Sequence, residues 1–154
     1  MNQKKQNNVN RLLDIFPVVI EHKIQWSDMD AYGHVNNVAY FRYIENARIA
    51  YYEAMDKYIY EEETGTRFVV AKTGCTFKLP LTYPDTLLIG ARVTEIKGSH
   101  IAMKYCIVST AQQTVAADAD AVIVSYHYGR GKKVRFPKEL AENITAIEGW
   151  NFAE

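Results

Sequence analysis

The sequence predicts an α+β fold in which an antiparallel β-sheet wraps around one long central α-helix. Three observations lead there. Only one stretch, Asn36 to about Met55, carries an extended helical pattern. Most of that helix's circumference is apolar or aromatic, so it has to be covered on most sides. The chain that follows alternates apolar and polar residues in runs joined by tight connections, as antiparallel strands do. A flat sheet with the helix laid on one face would leave more of the helix wet.

The elements follow in order. Met1 to Asn10 is polar and rich in Asn, Gln and Lys, and residues 1–12 read as a flexible tail. Residues 13–154 then form a single domain, a size that one core can serve. Phe16 to Trp26 alternates, with Ile20, His22, Ile24 and Trp26 on one face, and is a strand. In the long helix Arg42, Glu45, Asn46, Glu53 and Asp56 fall in one narrow polar stripe, against Phe41, Tyr43, Ile44, Ala47, Ala50 and Tyr51 elsewhere. Arg48 is the exception on the apolar side, and Glu45 and Arg48, three apart, read as an ion pair or a subunit contact. Phe68 to Leu79 is a strand, and Pro80 and Pro84 bracket a loop. Thr86 to Ile96 and His100 to Ser109 form a hairpin about Lys97-Gly98-Ser99. Thr114 to Tyr128 is a longer strand, closed by Gly129-Arg130-Gly131-Lys132-Lys133, and Pro137 opens a terminal helix from Lys138.

Composition narrows the function classes. The formal net charge is zero, so no global field draws the chain to nucleic acid or to a membrane surface. No apolar run approaches the roughly 18 residues needed to span a bilayer. The first residues lack the apolar core of a signal peptide, so the expected location is cytoplasmic. Cys75 and Cys106 lie in apolar strand-like runs and read as reduced packing residues; neither has metal-ligand spacing to another Cys or His, so no metal is expected.

One stretch does not read as scaffold. "SDMDAYGHVNN", Ser27 to Asn37, places two carboxylates, a glycine, a histidine and two amides at the entrance of the apolar helix. With its flanks, "SDMDAYGHVNNVAYFRYIENAR" resembles the acyl-CoA thioesterases of the hotdog fold, in the 4-hydroxybenzoyl-CoA thioesterase-like group. Trp26, Asp28, Asp30, Gly33, Val35, Asn37, Tyr40, Glu45, Ala47 and Arg48 match its pattern, and the order of elements agrees from about Pro17 to Pro137. The resemblance implies that Asp30, the second acid, is catalytic, as nucleophile or general base. It implies that the backbone N–H of Asn37, in the helix's first turn, holds the thioester carbonyl. It further implies a homodimer or homotetramer with the site between subunits, and no cofactor, coenzyme A being part of the substrate. "HVNN" is also similar to plant acyl-carrier-protein thioesterases, whose catalytic Asp, Asn and His match Asp30, Tyr32 and His34; here Tyr32 replaces the Asn.

Elementary chemistry supports the same reading. Thioester hydrolysis needs a carboxylate, a donor for the developing oxyanion and an apolar slot for the acyl group. A thiol of pKa near ~8.5 leaves without a strong general acid. A helix N-terminus supplies unpaired N–H groups and partial positive charge. The catalytic candidates are therefore Asp30, Asn37 and His34. Asp28 reads as a turn or capping residue and Asn36 as the helix N-cap. Arg130, Lys132 and Lys133 are candidates for holding the phosphates of coenzyme A. That cluster is too short, and too poor in stacking aromatics, for a nucleic-acid surface. The alternatives are hydrolysis of an acyl-carrier-protein thioester and non-catalytic binding of acyl-CoA.

Overall fold

The computed structural model describes residues 3–150. Its elements are α1 (Gln3–Leu12), β1 (Val18–Lys23), a single 3-10 turn (Trp26–Asp28), α2 (Asn37–Ala54), α3 (Lys57–Thr64), β2 (Thr66–Phe77), β3 (Thr86–Lys97), β4 (His100–Ser109), β5 (Thr114–His127), β6 (Lys132–Lys133) and α4 (Lys138–Glu148). The strands form one antiparallel sheet in the order β1-β3-β4-β5-β2, and β6 pairs with the end of β5 beyond the point where β4 leaves it. The sheet curls around α2, which is the hotdog arrangement.

Strand alternation sorts side chains to two faces. Leu87, Ile89, Ala91 and Val93 of β3, with Ile101, Met103, Tyr105 and Ile107 of β4, share one buried core with Tyr40, Tyr43, Ile44, Ala47 and Tyr51 of α2. The intervening residues Cys106 and Val108 of β4 face the other way and meet Val9 of α1 and Leu13. Gly90 is needed on that second face, because a Cβ there would lie 2.5 Å from the Phe16 ring.

Several expectations change. Residues 1–12, expected as a tail, are helical over Gln3–Leu12: Val9 is buried and the Asn8 carboxamide donates to the Gln113 carbonyl at 3.2 Å. One apolar turn face suffices to dock an otherwise polar helix. The first strand is shorter than Phe16 to Trp26, since Phe16 turns under Gly90 and Trp26 opens the 3-10 turn. A further helix, α3, follows α2 after Asp56, whose φ of 61° breaks the run; Gly65, at φ 75°, ends α3 and releases β2. Glu45 pairs with Arg42 at 3.3 Å, not with Arg48. The Arg48 guanidinium is buried instead and donates to the Tyr105 hydroxyl at 3.3 Å. Both cysteines are free thiols, Cys106 buried and Cys75 half-buried, and burial pushes each up to about 11.

The sheet covers one side of α2 and leaves the other open. Val38, Phe41 and Ile49 remain exposed on the helix, as do Val69, Val70 and Phe77 on the edge strand β2. Part of the apolar arc of α2 is therefore uncovered among the described residues.

Candidate active site

The stretch from Asp28 to Asn36 folds as a miniature hairpin. The Asn36 N–H donates to the Asp28 carbonyl at 2.8 Å, Met29 bridges Val35, and the Asp30 N–H donates to the His34 carbonyl at 2.9 Å. The Gly33 N–H closes the tip on the Asp30 carbonyl at 3.0 Å, with φ +78°, a conformation that glycine adopts without strain. A second bond, from the Val35 N–H to the Leu81 carbonyl at 2.8 Å, ties the returning arm to the loop before β3.

The hairpin delivers the chain directly into α2. Asn36 is the N-cap, with φ −63° and ψ 140°, and its side-chain oxygen accepts from the Val38 N–H at 2.9 Å. The Ala39 N–H donates to the Asn36 carbonyl at 2.9 Å. Two first-turn amides are thus spoken for. The Asn37 N–H, between them and the hairpin, has no protein acceptor among the described residues.

Asp30 sits on the outgoing arm of the hairpin. The Tyr32 N–H donates to its Oδ1 at 2.9 Å, and no other donor among the described residues reaches its carboxylate. That single bond orients the carboxylate and leaves Oδ2 open. Asp30, His34 and Asn37 line one groove of about 620 Å³ together with Tyr40, Phe77 and Lys78. The Tyr40 and Phe77 rings pack edge to face at 4.9 Å and form an apolar wall. Burial raises the Tyr40 phenol above its ordinary pKa, and its hydroxyl donates to the Leu79 carbonyl at 3.2 Å. Lys78, on the opposite lip, pairs with Asp118 at 2.5 Å. The long strand reading of Phe68 to Leu79 marked neither Phe77 nor Lys78 as site residues, because only the return of the loop toward α2 brings them there.

Arg130, Lys132 and Lys133 are elsewhere. They follow the end of β5, where His127 pairs with Thr66 and with Lys132. Phe77, at the groove, pairs with Ala117 near the other end of the same strand. At about 3.3 Å per residue the two ends are roughly 30 Å apart. Within one chain the structure does not bring the basic cluster to Asp30. Among the described residues no group of three or more His, Cys, Asp or Glu side chains could hold a metal ion.

Residues 24–144 match the family model of the thioesterase-like superfamily. The chain belongs to that superfamily. Among superfamily relatives, the long-chain acyl-CoA thioesterase FadM of Escherichia coli is 25% identical over 122 residues, spanning 79% of this chain and 92% of that protein. The acyl-CoA thioesterase YbgC of Haemophilus influenzae is 26% identical over 127 residues, 81% of this chain and 89% of that one. Among solved structures, a thioesterase from Thermus thermophilus, complexed with coenzyme A and Zn, superposes with a TM-score of 0.79 at 28% identity, over 90% of this chain and 99% of that one.

Proposed function

We propose that this chain hydrolyses acyl-CoA thioesters to a free carboxylic acid and coenzyme A, with Asp30 as the reacting carboxylate and the Asn37 N–H as oxyanion donor. Membership of the superfamily makes the reaction class thioester hydrolysis. The acyl-CoA substrate is read from the named activities of the FadM and YbgC relatives. The observation that carries the residue assignment is the Asn37 amide: an unoccupied N–H at the start of an 18-residue helix, in the same groove as an open carboxylate.

The chemistry is short. In the general-base route Asp30 takes a proton from water while the water oxygen bonds to the thioester carbonyl carbon. The carbonyl oxygen becomes an oxyanion and accepts the Asn37 N–H, helped by the positive end of the helix. The oxyanion then re-forms C=O, the C–S bond breaks, and the proton on Asp30 passes to the departing thiolate. In the nucleophilic route Asp30 bonds to the carbonyl carbon, the C–S bond breaks and the coenzyme A thiolate leaves; water then hydrolyses the resulting anhydride, which frees the acid, restores the Asp30 carboxylate and releases the proton that the thiolate takes up. The same two groups serve both routes. His34, which lines the same groove, serves as a polar neighbour of the carbonyl.

The working unit is a dimer or a higher homo-oligomer. The exposed Val69, Val70 and Phe77 of β2 and the uncovered Val38 and Phe41 of α2 support this reading. Isologous pairing of two β2 edges runs them antiparallel. Each protomer's Thr66 end then lies beside its partner's Phe77 end, and the basic cluster next to Thr66 comes to the partner's Asp30. The Arg130, Lys132 and Lys133 clamp therefore acts on a coenzyme A whose thioester is held by the other subunit. An assay of thiol release over straight-chain and aromatic acyl-CoA substrates tests the function. Turnover of at least one of them, abolished by heat denaturation, is expected; no release from any contradicts the reading.

A further inference from the structure

One polar cluster beside the groove has no place in the chemistry above. The Asp28 Oδ2 atom accepts the Tyr43 hydroxyl at 2.7 Å and the Gln25 N–H at 2.9 Å. The Nε2 atom of His22 lies 3.9 Å from the same oxygen, buried and without a hydrogen-bond partner. The His22 and Tyr43 rings pack at 4.6 Å between centroids. Groups from three places thus converge on one carboxylate oxygen: His22 from β1, Gln25 from the residue that caps the 3-10 turn, and Tyr43 from the second turn of α2.

Tyr43 is fully buried, and burial together with the Asp28 carboxylate holds its phenol protonated, well above its ordinary pKa, so it is a permanent donor. Asp28 is also the base of the hairpin, since its carbonyl accepts the Asn36 N–H. The hairpin is internally bonded. It is held by the covalent entry at Asn36-Asn37, by the Val35 N–H to Leu81 carbonyl bond on its returning arm and by the Tyr43–Asp28 bond at its base. Of these, the Tyr43–Asp28 bond is the side-chain contact that ties the base of the hairpin to the body of α2. The arm that leaves this base carries Asp30 two residues on.

We propose that Tyr43 and Asp28 are positioning residues that set the distance between the Asp30 carboxylate and the Asn37 amide. The inference rests on the assignment of those two groups to catalysis. An error of about 1 Å in a reacting group costs on the order of a hundredfold in rate, so loss of the Tyr43–Asp28 contact reads out in kcat. Substrate contacts along the groove are untouched, so KM is not affected.

The test uses full-length protein and octanoyl-CoA or benzoyl-CoA, whichever is turned over faster. Tyr43→Phe removes one hydroxyl and no volume of consequence. It is expected to lower kcat by about tenfold or more with KM within about twofold. Asp28→Asn keeps an oxygen for both donors and is expected to retain most of kcat, while Asp28→Ala falls as far as Tyr43→Phe. Amide exchange at Asn36 is expected to quicken in Tyr43→Phe while exchange at Ile44 and Ala47 stays unchanged, which separates loss of aim from loss of stability. In an Asp30→Asn background, Tyr43→Phe is expected to have no further effect on kcat, because nothing remains to be aimed. Native kcat in Tyr43→Phe with a dead Asp30→Asn overturns the positioning role alone. An undiminished Tyr43→Phe effect on kcat in the Asp30→Asn background also overturns it. Native kcat in Asp30→Asn overturns the catalytic assignment and the positioning role together.

Discussion

At the first helical position of α2 the side chain and the amide of Asn37 have separable roles. Val38 and Ala39 have committed their N–H groups to Asn36, and Asn37 has not. Asn37→Ala keeps the amide and is expected to retain most activity. Asn37→Pro removes it at a position made for proline: the N–H has no intrahelical partner, and Asn36 already holds the extended backbone that a following proline requires, with ψ 140°. The proline variant is expected to keep its helix by circular dichroism and to lose about 2 to 4 kcal/mol of transition-state stabilisation, as when one oxyanion donor goes. A dead alanine variant beside an active proline variant moves the role to the carboxamide. The N-cap and the glycine turn were readable because each is a local rule acting over a few residues. The Tyr43–Asp28 bond was not, since it spans 15 residues and depends on where the 3-10 turn at Trp26–Asp28 directs the carboxylate.

At the level of elements, periodicity marked what packing later used. Alternation along Thr86 to Ser109 placed the hairpin, and the two-residue turn at Gly98-Ser99 follows from a glycine at φ +59°. Helix α3 was hidden because its break from α2 rests on Asp56 in the left-handed region, a conformation that an aspartate signals far less strongly than a glycine does. Helix α1 was hidden because its polar composition outweighs the few contacts at Val9. The edge strand β2 carries the largest consequence. A long edge with exposed Val69 and Val70 is a template for pairing. Lysine at both positions is expected to convert an oligomer to a monomer by light scattering and to lower activity, with little change in secondary structure. An oligomer that survives both substitutions would place the subunit contact elsewhere.

For the molecule as a whole, the separation between the basic cluster and Asp30 was not legible in the sequence. The basic run Arg130 to Lys133 closes the last long strand, yet that end of β5 is the one remote from Asp30. Sequence order carries no information on which end of a strand a partner subunit will meet. Complementation tests the arrangement. Protomers carrying Asp30→Asn, co-expressed with protomers carrying Lys132→Glu and Lys133→Glu, are expected to regain activity at low substrate concentration, because each mixed dimer holds one site with an intact acid and an intact clamp. No regain in purified mixed dimers means that the clamp and the acid do not meet across the interface.

The most direct measurement is kcat of Asp30→Asn on the best acyl-CoA substrate. The substitution is isosteric, and its oxygen can still accept the Tyr32 N–H that orients the native carboxylate. A folded variant that binds substrate with unchanged affinity and turns over at least about a hundredfold more slowly is the expected result, the scale of losing a positioned base. A folded variant with near-native kcat would contradict the assignment of the chemistry to Asp30.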